Sequence, residues 1–311
     1  MDFNHISVLL KESVDSLCVH SGGVYVDGTL GGGGHSALIC ERLRENGMLI
    51  GTDRDTSALK AASERLKDYK CGKKLLHANF FDIKSVLKDL GIDEIDGAIL
   101  DLGVSSPQLD DGARGFSYNA DSRLDMRMNR EDKLDAYTVV NTYSEGELKR
   151  ILFSYGEEKN AAKIAANIVR SRSEKPIETT FELSEIIKHS FPPKKRYGDK
   201  HPAKRSFQAI RIEVNHELDG LSEAITDFAD ALKPGGRLAV ITFHSLEDRI
   251  VKNTFKDLAT GCICPKEFPV CVCGHKPKVK IVNKKPIIAN DDELNRNNRA
   301  HSAKLRVAEK I

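Results

Sequence analysis

The sequence has almost no excess of charge of either sign. Its 48 Lys and Arg residues nearly balance its 46 Asp and Glu residues, which leaves a formal net charge of +2. Overall basicity therefore gives no sign of a polyanionic partner, and any nucleic-acid surface must come from local segregation of charge. Two late segments show it: residues 191–206 hold six basic residues against one acid, and residues 276–286 hold five lysines and no acid.

Long apolar runs and a regular cysteine framework are also missing. No stretch approaches the roughly 18 apolar residues of a membrane span, and the apolar run at residues 6–10 is too short for a signal peptide. Seven cysteines is an odd number, and four of them crowd into residues 262–273, unlike a secreted disulfide framework.

With 311 residues, 40% of them apolar, the chain can form two domains. A globular cytosolic protein with no membrane partner is expected.

Short apolar segments alternate with helical periodicity over the first hundred residues. Strands are predicted at 24–26, 48–51, 74–76 and 95–100, with helical spacing from Ala58 to Leu66 between the second and third. Such alternation implies right-handed crossovers and an α/β fold, whose parallel sheet has its ligand crevice at the carboxyl ends of the strands.

From about residue 106 to 205 the strand signal disappears. Helix starts replace it, because Ser144 with Glu147 and Thr179 with Glu182 fit the capping-box spacing. Beyond this helical insertion, apolar residues recur every three or four positions over 207–232 and predict one long helix, stopped by residues 234–236. A strand at 237–243 and two closing strands, at 278–282 and 304–307, complete the prediction.

A glycine-rich turn, residues 27–36, lies directly between the first strand and a helix. Glycines there let a ligand approach the backbone, and exposed N–H groups face an anion. A dinucleotide places its pyrophosphate at such a turn, and S-adenosylmethionine places its methionyl carboxylate there; Asp53 is the acid that could hold ribose hydroxyls in either case. The spacing does not choose between them, and tight packing alone is a third explanation.

Later motifs point to S-adenosylmethionine. Residues 232–237 resemble the approach to the fifth strand of methyltransferases that use this cofactor, and residues 101–107 occupy the place of an amino-group methyltransferase's catalytic loop. Further motifs lie at residues 8–12, 27–36, 101–110, 114–117, 124–128, 155–158, 201–208, 243–249 and 299–306. With these motifs the chain resembles the MraW family of ribosomal RNA methyltransferases nearly end to end. One departure is Ser122-Arg123, where the family usually has Gly-Pro, and it puts the conformation of that loop in doubt.

The resemblance implies a fold, an activity and a partner. The fold is a Rossmann-like class I methyltransferase core, residues 1–108 and 206–311, with an inserted helical domain for substrate recognition, residues 109–205. The activity is methyl transfer from S-adenosylmethionine to N4 of a cytidine in the decoding region of 16S rRNA. The partner is 16S rRNA or the small ribosomal subunit. The resemblance does not tell whether free rRNA or an assembled subunit is the substrate. It also leaves the oligomeric state open, with a homodimer as one option.

The family's cofactor contacts correspond here to Gly33, Gly34, His35, Asp53, Phe80, Asp101 and Gln108. For catalysis the chemistry asks for hydrogen-bond acceptors to the amino hydrogens of cytosine and for no thiolate. Asp101, Ser105 and Ser106 are the candidates, although turn and helix-cap roles explain both serines equally well. Ser245 with Asp248 fits a further capping box.

Backbone contacts to the RNA are expected from local positive charge. The candidates are Lys194, Lys195, Arg196, Lys204, Arg205, Arg211 and, after the fifth strand, His244. Arg127 and the lysines of 276–285 are further options, although an ordinary solvated face explains that lysine run as well.

Cys262, Cys264, Cys271 and Cys273 are numerous enough for a tetrahedral zinc site. Their Cys-x-Cys spacing is tighter than the usual one, so exposed free thiols are favoured over zinc and over a disulfide, and no metal is expected.

Three other functions compete with rRNA methylation. A dehydrogenase would use a dinucleotide at the same glycine-rich turn. An rRNA-binding assembly factor that has lost catalysis would not need to keep the turn with Asp53 and Asp101. A DNA amino-methyltransferase should carry a Pro-Pro-aromatic motif after the fourth strand, which residues 105–108 do not provide.

Overall fold

The computed structural model describes residues 7–196, 201–265, 268, 270 and 272–311, without the side chains of Ser106, Pro107 and Lys195. The chain forms two compact units. The sheet unit comprises residues 1–103 and 220–311, and the helical unit comprises residues 104–219. The helical unit is thus longer at both ends than the insertion at 109–205 that the sequence predicts. Among the described residues, no helix is long and apolar enough to span a membrane.

Strands β1 to β7 are Val24–Asp27, Met48–Asp53, Gly72–His77, Ile95–Asp101, Leu232–Thr242, Val279–Ile281 and Lys304–Lys310. They form one sheet in the order β3-β2-β1-β4-β5-β7-β6. Neighbours among β1 to β5 pair in parallel, whereas β7 pairs antiparallel with both β5 and β6. This confirms the α/β fold, and the strand order reverses between β1 and β4, where such sheets open a ligand crevice.

Helices α1 to α14 are Leu10–Ser16, Gly34–Leu43, Thr56–Leu66, Ile83–Asp89, Ser106–Asp110, Ala136–Thr142, Glu145–Ser154, Ala161–Glu174, Thr180–His189, Pro193–Arg196, Lys204–Asn215, Leu221–Ala231, Ser245–Leu258 and Asp291–Arg296. Helices α5 to α11 belong to the helical unit and the others to the sheet unit. Each unit has its own apolar core. The central strands are apolar along most of their length because helices cover both faces of a parallel sheet.

The single long helix predicted over 207–232 is wrong. The chain forms α11 and α12 there, and His216 between them adopts a left-handed conformation with φ 51°. Gly220, with φ 80°, then precedes α12. The apolar periodicity continues through the break because both helices bury a face, so the pattern alone conceals the turn.

The predicted capping boxes of the helical unit are confirmed. Ser144 caps α7 with Glu147, and Thr179 caps α9 with Glu182. The box predicted for Ser245 with Asp248 is wrong, because His244 and Glu247 form it one residue earlier. Asp248 instead binds Lys304 and Arg306, at 3.0 and 2.7 Å.

The loop at Ser122-Arg123 has a defined conformation despite its departure from the family pattern. Arg123 forms an antiparallel bridge with Thr179. The Thr180 N–H donates to the Ser122 carbonyl at 2.9 Å, and the Arg123 guanidinium lies 2.6 Å from Asp135. These contacts hold the loop against the start of α9 without Gly-Pro.

Candidate cofactor and catalytic site

Residues 27–36, which we call the glycine loop, connect β1 to α2. Asp27, at the end of β1, holds both ends of the loop: its carboxylate accepts from the Thr29 N–H at 3.2 Å and from the Ser36 hydroxyl at 2.7 Å. The side chain is 1% exposed. Burial raises the pKa of Asp27 to about 6, although both hydrogen bonds oppose the rise.

Two further strand ends hold the same loop. Asp53, the last residue of β2, accepts from the Gly31 N–H at 2.7 Å and from the Asp55 N–H at 2.8 Å. The N–H of Asp101, the last residue of β4, donates to the Thr29 hydroxyl at 2.6 Å. The loop is therefore fixed from β1, β2 and β4 at the carboxyl edge of the sheet.

The first turn of α2 has no side-chain cap, because the residue that precedes it, Gly33, has no side chain to accept from the backbone N–H groups. Gly33 adopts a left-handed conformation with φ 75°. A Cβ at Gly34 would lie 1.9 Å from the Ser7 hydroxyl, so a larger residue there would require the Ser7 side chain to move. Gly33 and Gly34 are two of the cofactor contacts that the family resemblance predicts. A 10-residue helix with an uncapped N-terminus is suited to an anion such as a carboxylate.

His35 is buried in the first turn of α2. Its Nε2 lies 3.0 Å from the Val8 carbonyl and donates to it, which leaves Nδ1 with the lone pair of a neutral ring. Burial lowers the pKa of His35 to about 4. Nδ1 lies 3.8 Å from Oδ2 of Asp101. His35 is therefore uncharged at neutral pH beside a carboxyl group.

Asp101 carries the least satisfied polar group of this edge. Its Oδ1 is buried and has no hydrogen-bond partner among the described residues, although the side chain as a whole is partly exposed. Burial, and then the charges of Asp27 and Glu247, raise the pKa of Asp101 well above its usual value. A ligand that brings a hydrogen-bond donor would satisfy this oxygen and favour the charged carboxylate.

Phe80 begins a short 3₁₀ turn after β3, where the Asn79 side chain accepts from the Phe81 N–H. The Phe80 and Phe81 rings meet edge to face, with centroids 4.5 Å apart. A Cβ at Gly28 would lie 3.1 Å from the Phe80 Cβ, so Phe80 packs directly against the glycine loop. The half-buried ring can cover a flat ligand at this edge.

Three predicted site residues belong to the helical unit: Ser105, Ser106 and Gln108. The Ser105 N–H donates to Oε1 of the buried Gln108 at 3.0 Å. Ser106 begins α5, and its side chain lies outside the described residues. The Gln108 side chain thus binds the backbone just before α5, and the catalytic and cap explanations of the two serines both stay open.

The predicted RNA contacts differ in their exposure to solvent and in whether their charged groups already bind other residues. Lys194, Lys204 and Arg205 are exposed, and Arg205 also donates to the Glu157 carbonyl at 2.9 Å. The Lys195 side chain lies outside the described residues. Two residues have other partners: Arg196 donates to the Phe191 carbonyl at 2.8 Å, and Arg211 makes two 2.8 Å hydrogen bonds to Glu217.

His244 is a further predicted RNA contact, and the structure gives it a local role. Its Nδ1 accepts from the Glu247 N–H at 3.4 Å, and Glu247 accepts from the His244 N–H in return. The Phe243 N–H also donates to Glu247, at 2.8 Å. These contacts start α13 at the end of β5.

Sequence reasoning missed Thr29 and Ser36. Both are small hydroxyl residues inside a glycine-rich motif, and their ordinary explanation is turn chemistry. The available signal is their position, because Thr29 comes two residues after a strand-terminal aspartate and Ser36 nine residues after it. In the structure they connect Asp27 and Asp101 to the loop.

The raised pKa of Asp27 predicts how stability depends on pH. Because its pKa is about 6 in the folded chain and about 3.9 when unfolded, Asp27 contributes stability that is complete below about pH 4 and is lost as the pH rises through 6. Asp27→Asn removes this dependence and keeps an acceptor for the Thr29 N–H. The unfolding free energy of the variant minus that of the wild type should rise by about 3 kcal/mol between about pH 3 and pH 7.

Hydrogen exchange of the β1 and β2 amides across this pH range measures the difference in the sheet unit. Asp89→Asn, at an exposed residue that ends α4, is the matched control and should give a flat difference. Parallel pH profiles for Asp27→Asn and the wild type would contradict a buried carboxyl with a raised pKa.

Comparison with known proteins places this site in a family. The MraW methylase family model matches residues 2–311. Proteins named Ribosomal RNA small subunit methyltransferase H from Clostridium botulinum (strain Kyoto / Type A2) and Brevibacillus brevis are 59% and 52% identical, over 100% of this chain and 100% and 99% of theirs. A solved structure described as a putative rRNA-methylase from Clostridium thermocellum is 14% identical, with a TM-score of 0.45 over 99% of this chain and 100% of that one. Because the sequence matches run along the whole chain, this protein belongs to the MraW methylase family, and its core is a Rossmann-like methyltransferase core.

Proposed function

We propose that this protein uses S-adenosylmethionine to methylate N4 of a cytidine in the decoding region of 16S rRNA. Membership of a methylase family and the names of its relatives support an rRNA substrate. The main structural support is the buried, unpartnered Oδ1 of Asp101 at the end of β4, beside the glycine loop. That atom is an acceptor in need of an N–H donor, which an exocyclic amino group supplies.

The residues of the sheet unit fit the cofactor. The uncapped first turn of α2, at Gly33 and Gly34, would hold the methionyl carboxylate. Asp53 would hold the ribose hydroxyls, because its two carboxylate oxygens keep acceptor capacity beside the backbone N–H groups of Gly31, Arg54 and Asp55. Phe80 would cover the adenine, and the neutral His35 keeps an uncharged ring next to Asp101. When bound, S-adenosylmethionine supplies a methyl group on a positively charged sulfonium.

Asp101 would act on the amino group that receives the methyl. The N4 lone pair of cytosine is delocalised into the ring, and an acceptor for the amino hydrogens favours the tetrahedral nitrogen needed for attack. The nitrogen gains positive charge as it is methylated, so a carboxylate interacts with it more strongly in the transition state than in the ground state. No strong base is needed, because the methylated nitrogen then loses its proton to water.

Nucleoside mass spectrometry tests the activity. Wild-type protein with S-adenosylmethionine and unmethylated 16S rRNA, either free or in small subunits, should form N4-methylcytidine. Asp101→Asn keeps the shape of the side chain and removes its charge, so kcat at saturating cofactor should fall by roughly 100-fold. Asp89→Asn makes the same charge change at an exposed site and should keep the wild-type kcat.

Three outcomes would contradict the proposal. A methyl group on carbon 5 of cytosine would exclude N4 chemistry. Binding of rRNA with no transfer in either substrate form would indicate an assembly factor without catalysis. A fully active Asp101→Asn variant would remove Asp101 from the reaction.

We further propose that the helical unit holds the RNA backbone near its exposed lysines. Lys194 in α10 and Lys204 at the start of α11 are exposed, and neither forms an ion pair within the described part of the chain. Beside Lys204, His201 stacks on Tyr118 with ring centroids 4.4 Å apart, and Tyr118 meets Phe207 edge to face. This packed aromatic group gives the basic residues after 201 a fixed support.

A lysine triple variant tests this surface. Lys194→Ala, Lys195→Ala and Lys204→Ala together should weaken RNA binding and reduce the log–log salt slope by about 0.7 for each phosphate that a lysine no longer neutralises, or about 2 in total. Lys204 is included in place of Arg196, whose guanidinium binds backbone carbonyls. The affinity for S-adenosylmethionine should not change, because its proposed contacts with the glycine loop and Asp53 lie in the sheet unit.

The matched control removes the same charge from other exposed lysines of the helical unit: Lys149, Lys159 and Lys163. Fluorescence anisotropy over a series of salt concentrations measures both slopes. Equal slopes in the two triple variants would show that 194–204 is an ordinary solvated face.

A further inference from the structure

The segment between α13 and β6 has little apolar burial to hold it. Its described residues, within 259–278, form neither helix nor strand. Its large apolar side chains point into solvent: Ile263, Phe268, Val270 and Val272 are 51–74% exposed. A segment without a core of its own needs another source of order, such as a cross-link or a metal.

Three thiols meet in this segment. The sulfurs of Cys262, Cys264 and Cys273 all lie within 4.8 Å of one another. Those of Cys262 and Cys273 are 3.8 Å apart, far beyond the roughly 2.05 Å of a disulfide. Two thiolates bound to one tetrahedral Zn²⁺ at about 2.3 Å are separated by about 3.8 Å. The spacing therefore matches an edge of a zinc tetrahedron.

Each of these sulfurs also accepts a backbone N–H, at 3.4 Å. Cys264 donates to Cys262, Val272 donates to Cys264, and Ile263 donates to Cys273. These hydrogen bonds fix the positions of the three sulfurs relative to the backbone. Three sulfurs that converge in this way form a ligand set.

We propose that Cys262, Cys264 and Cys273 bind one Zn²⁺ as thiolates and that this structural site holds the segment between α13 and β6. Soft thiolate ligands suit Zn²⁺, and binding releases the thiol protons to solvent. The sequence favours free thiols because Cys-x-Cys is a tight spacing. In the structure the sulfurs of the Cys262-x-Cys264 pair nevertheless converge with that of Cys273, all within 4.8 Å of one another.

Cys271, the fourth cysteine of the segment, lies outside the described residues, and the proposal does not depend on it. The zinc site is also independent of methyl transfer. It can be tested without the methylation reaction.

Elemental analysis of the full-length protein, purified without chelator, tests the proposal. The wild type should carry about one zinc per chain. Cys262→Ser, Cys264→Ser and Cys273→Ser should each lose it, whereas Cys18→Ser, which removes an exposed thiol of the sheet unit, should retain it. A wild type that binds no more zinc than Cys262→Ser, even after titration with zinc chloride under reducing conditions, would overturn the site.

Thiol alkylation of the wild type gives a second measurement that needs no variant to fold. Cys262, Cys264 and Cys273 should react slowly with iodoacetamide until a zinc chelator is added, and Cys18 should react at the same rate before and after. Hydrogen exchange of residues 259–278 should accelerate on chelation. Rapid alkylation of all three thiols in zinc-loaded protein would contradict the proposal.

Discussion

One loop is held by three neighbouring strands, and the arrangement of the candidate site depends on that restraint. The glycine loop is bound by the last residues of β1, β2 and β4, which are Asp27, Asp53 and Asp101. Asp27 and Asp101 hydrogen-bond to Thr29, and Asp53 hydrogen-bonds to Gly31. Because the strands are parallel neighbours in the sheet, their carboxyl ends meet at one edge. The loop thereby leads into α2, whose first turn has no side-chain cap.

Holding the loop in this way places ionisable groups where their charge is disfavoured. Burial raises the pKa of both Asp27 and Asp101, and it lowers the pKa of His35 to about 4. A purely structural hydrogen-bond network would leave no buried acceptor unpaired, yet Oδ1 of Asp101 has no partner among the described residues. Perturbed pKa values and an unsatisfied acceptor at the carboxyl edge of a parallel sheet are typical of a reactive site. We interpret the unfavourable burial of Asp101 as the feature that an incoming amino group relieves.

Much of the sheet unit could be predicted from the sequence because its signals are local. Apolar runs ending at Asp53 and Asp101 predict buried strands and their carboxyl ends, and the structure has both. The glycine loop is recognised from composition alone. The contacts of His35 with Val8 and Asp101 could not be predicted, because they join residues far apart in the chain and depend on how the sheet and helices pack.

The errors have physical causes in particular residues. His216 breaks a helix by adopting a left-handed conformation that its sequence neighbourhood does not announce. His244 takes the helix-cap position expected for Ser245, since Glu247 is buried where it can accept from two successive backbone N–H groups. Arg211 is a candidate RNA contact by charge, yet Glu217 engages its guanidinium. Local composition shows which charges exist, whereas only the packed structure shows which of them have partners.

If the restrained glycine loop and Asp53 form the binding site for S-adenosylmethionine, the affinity for this cofactor must depend on the Asp53 carboxylate. Titration calorimetry of the wild type and Asp53→Ala measures that dependence, with Asp89→Ala as the exposed control and hydrogen exchange of β2 as the check on folding. We expect Asp53→Ala to weaken binding by about 1.5–3 kcal/mol, the size of a missing hydrogen bond to a charged group, while the control binds as the wild type does. An unchanged dissociation constant in Asp53→Ala would show that the cofactor does not bind at this strand end.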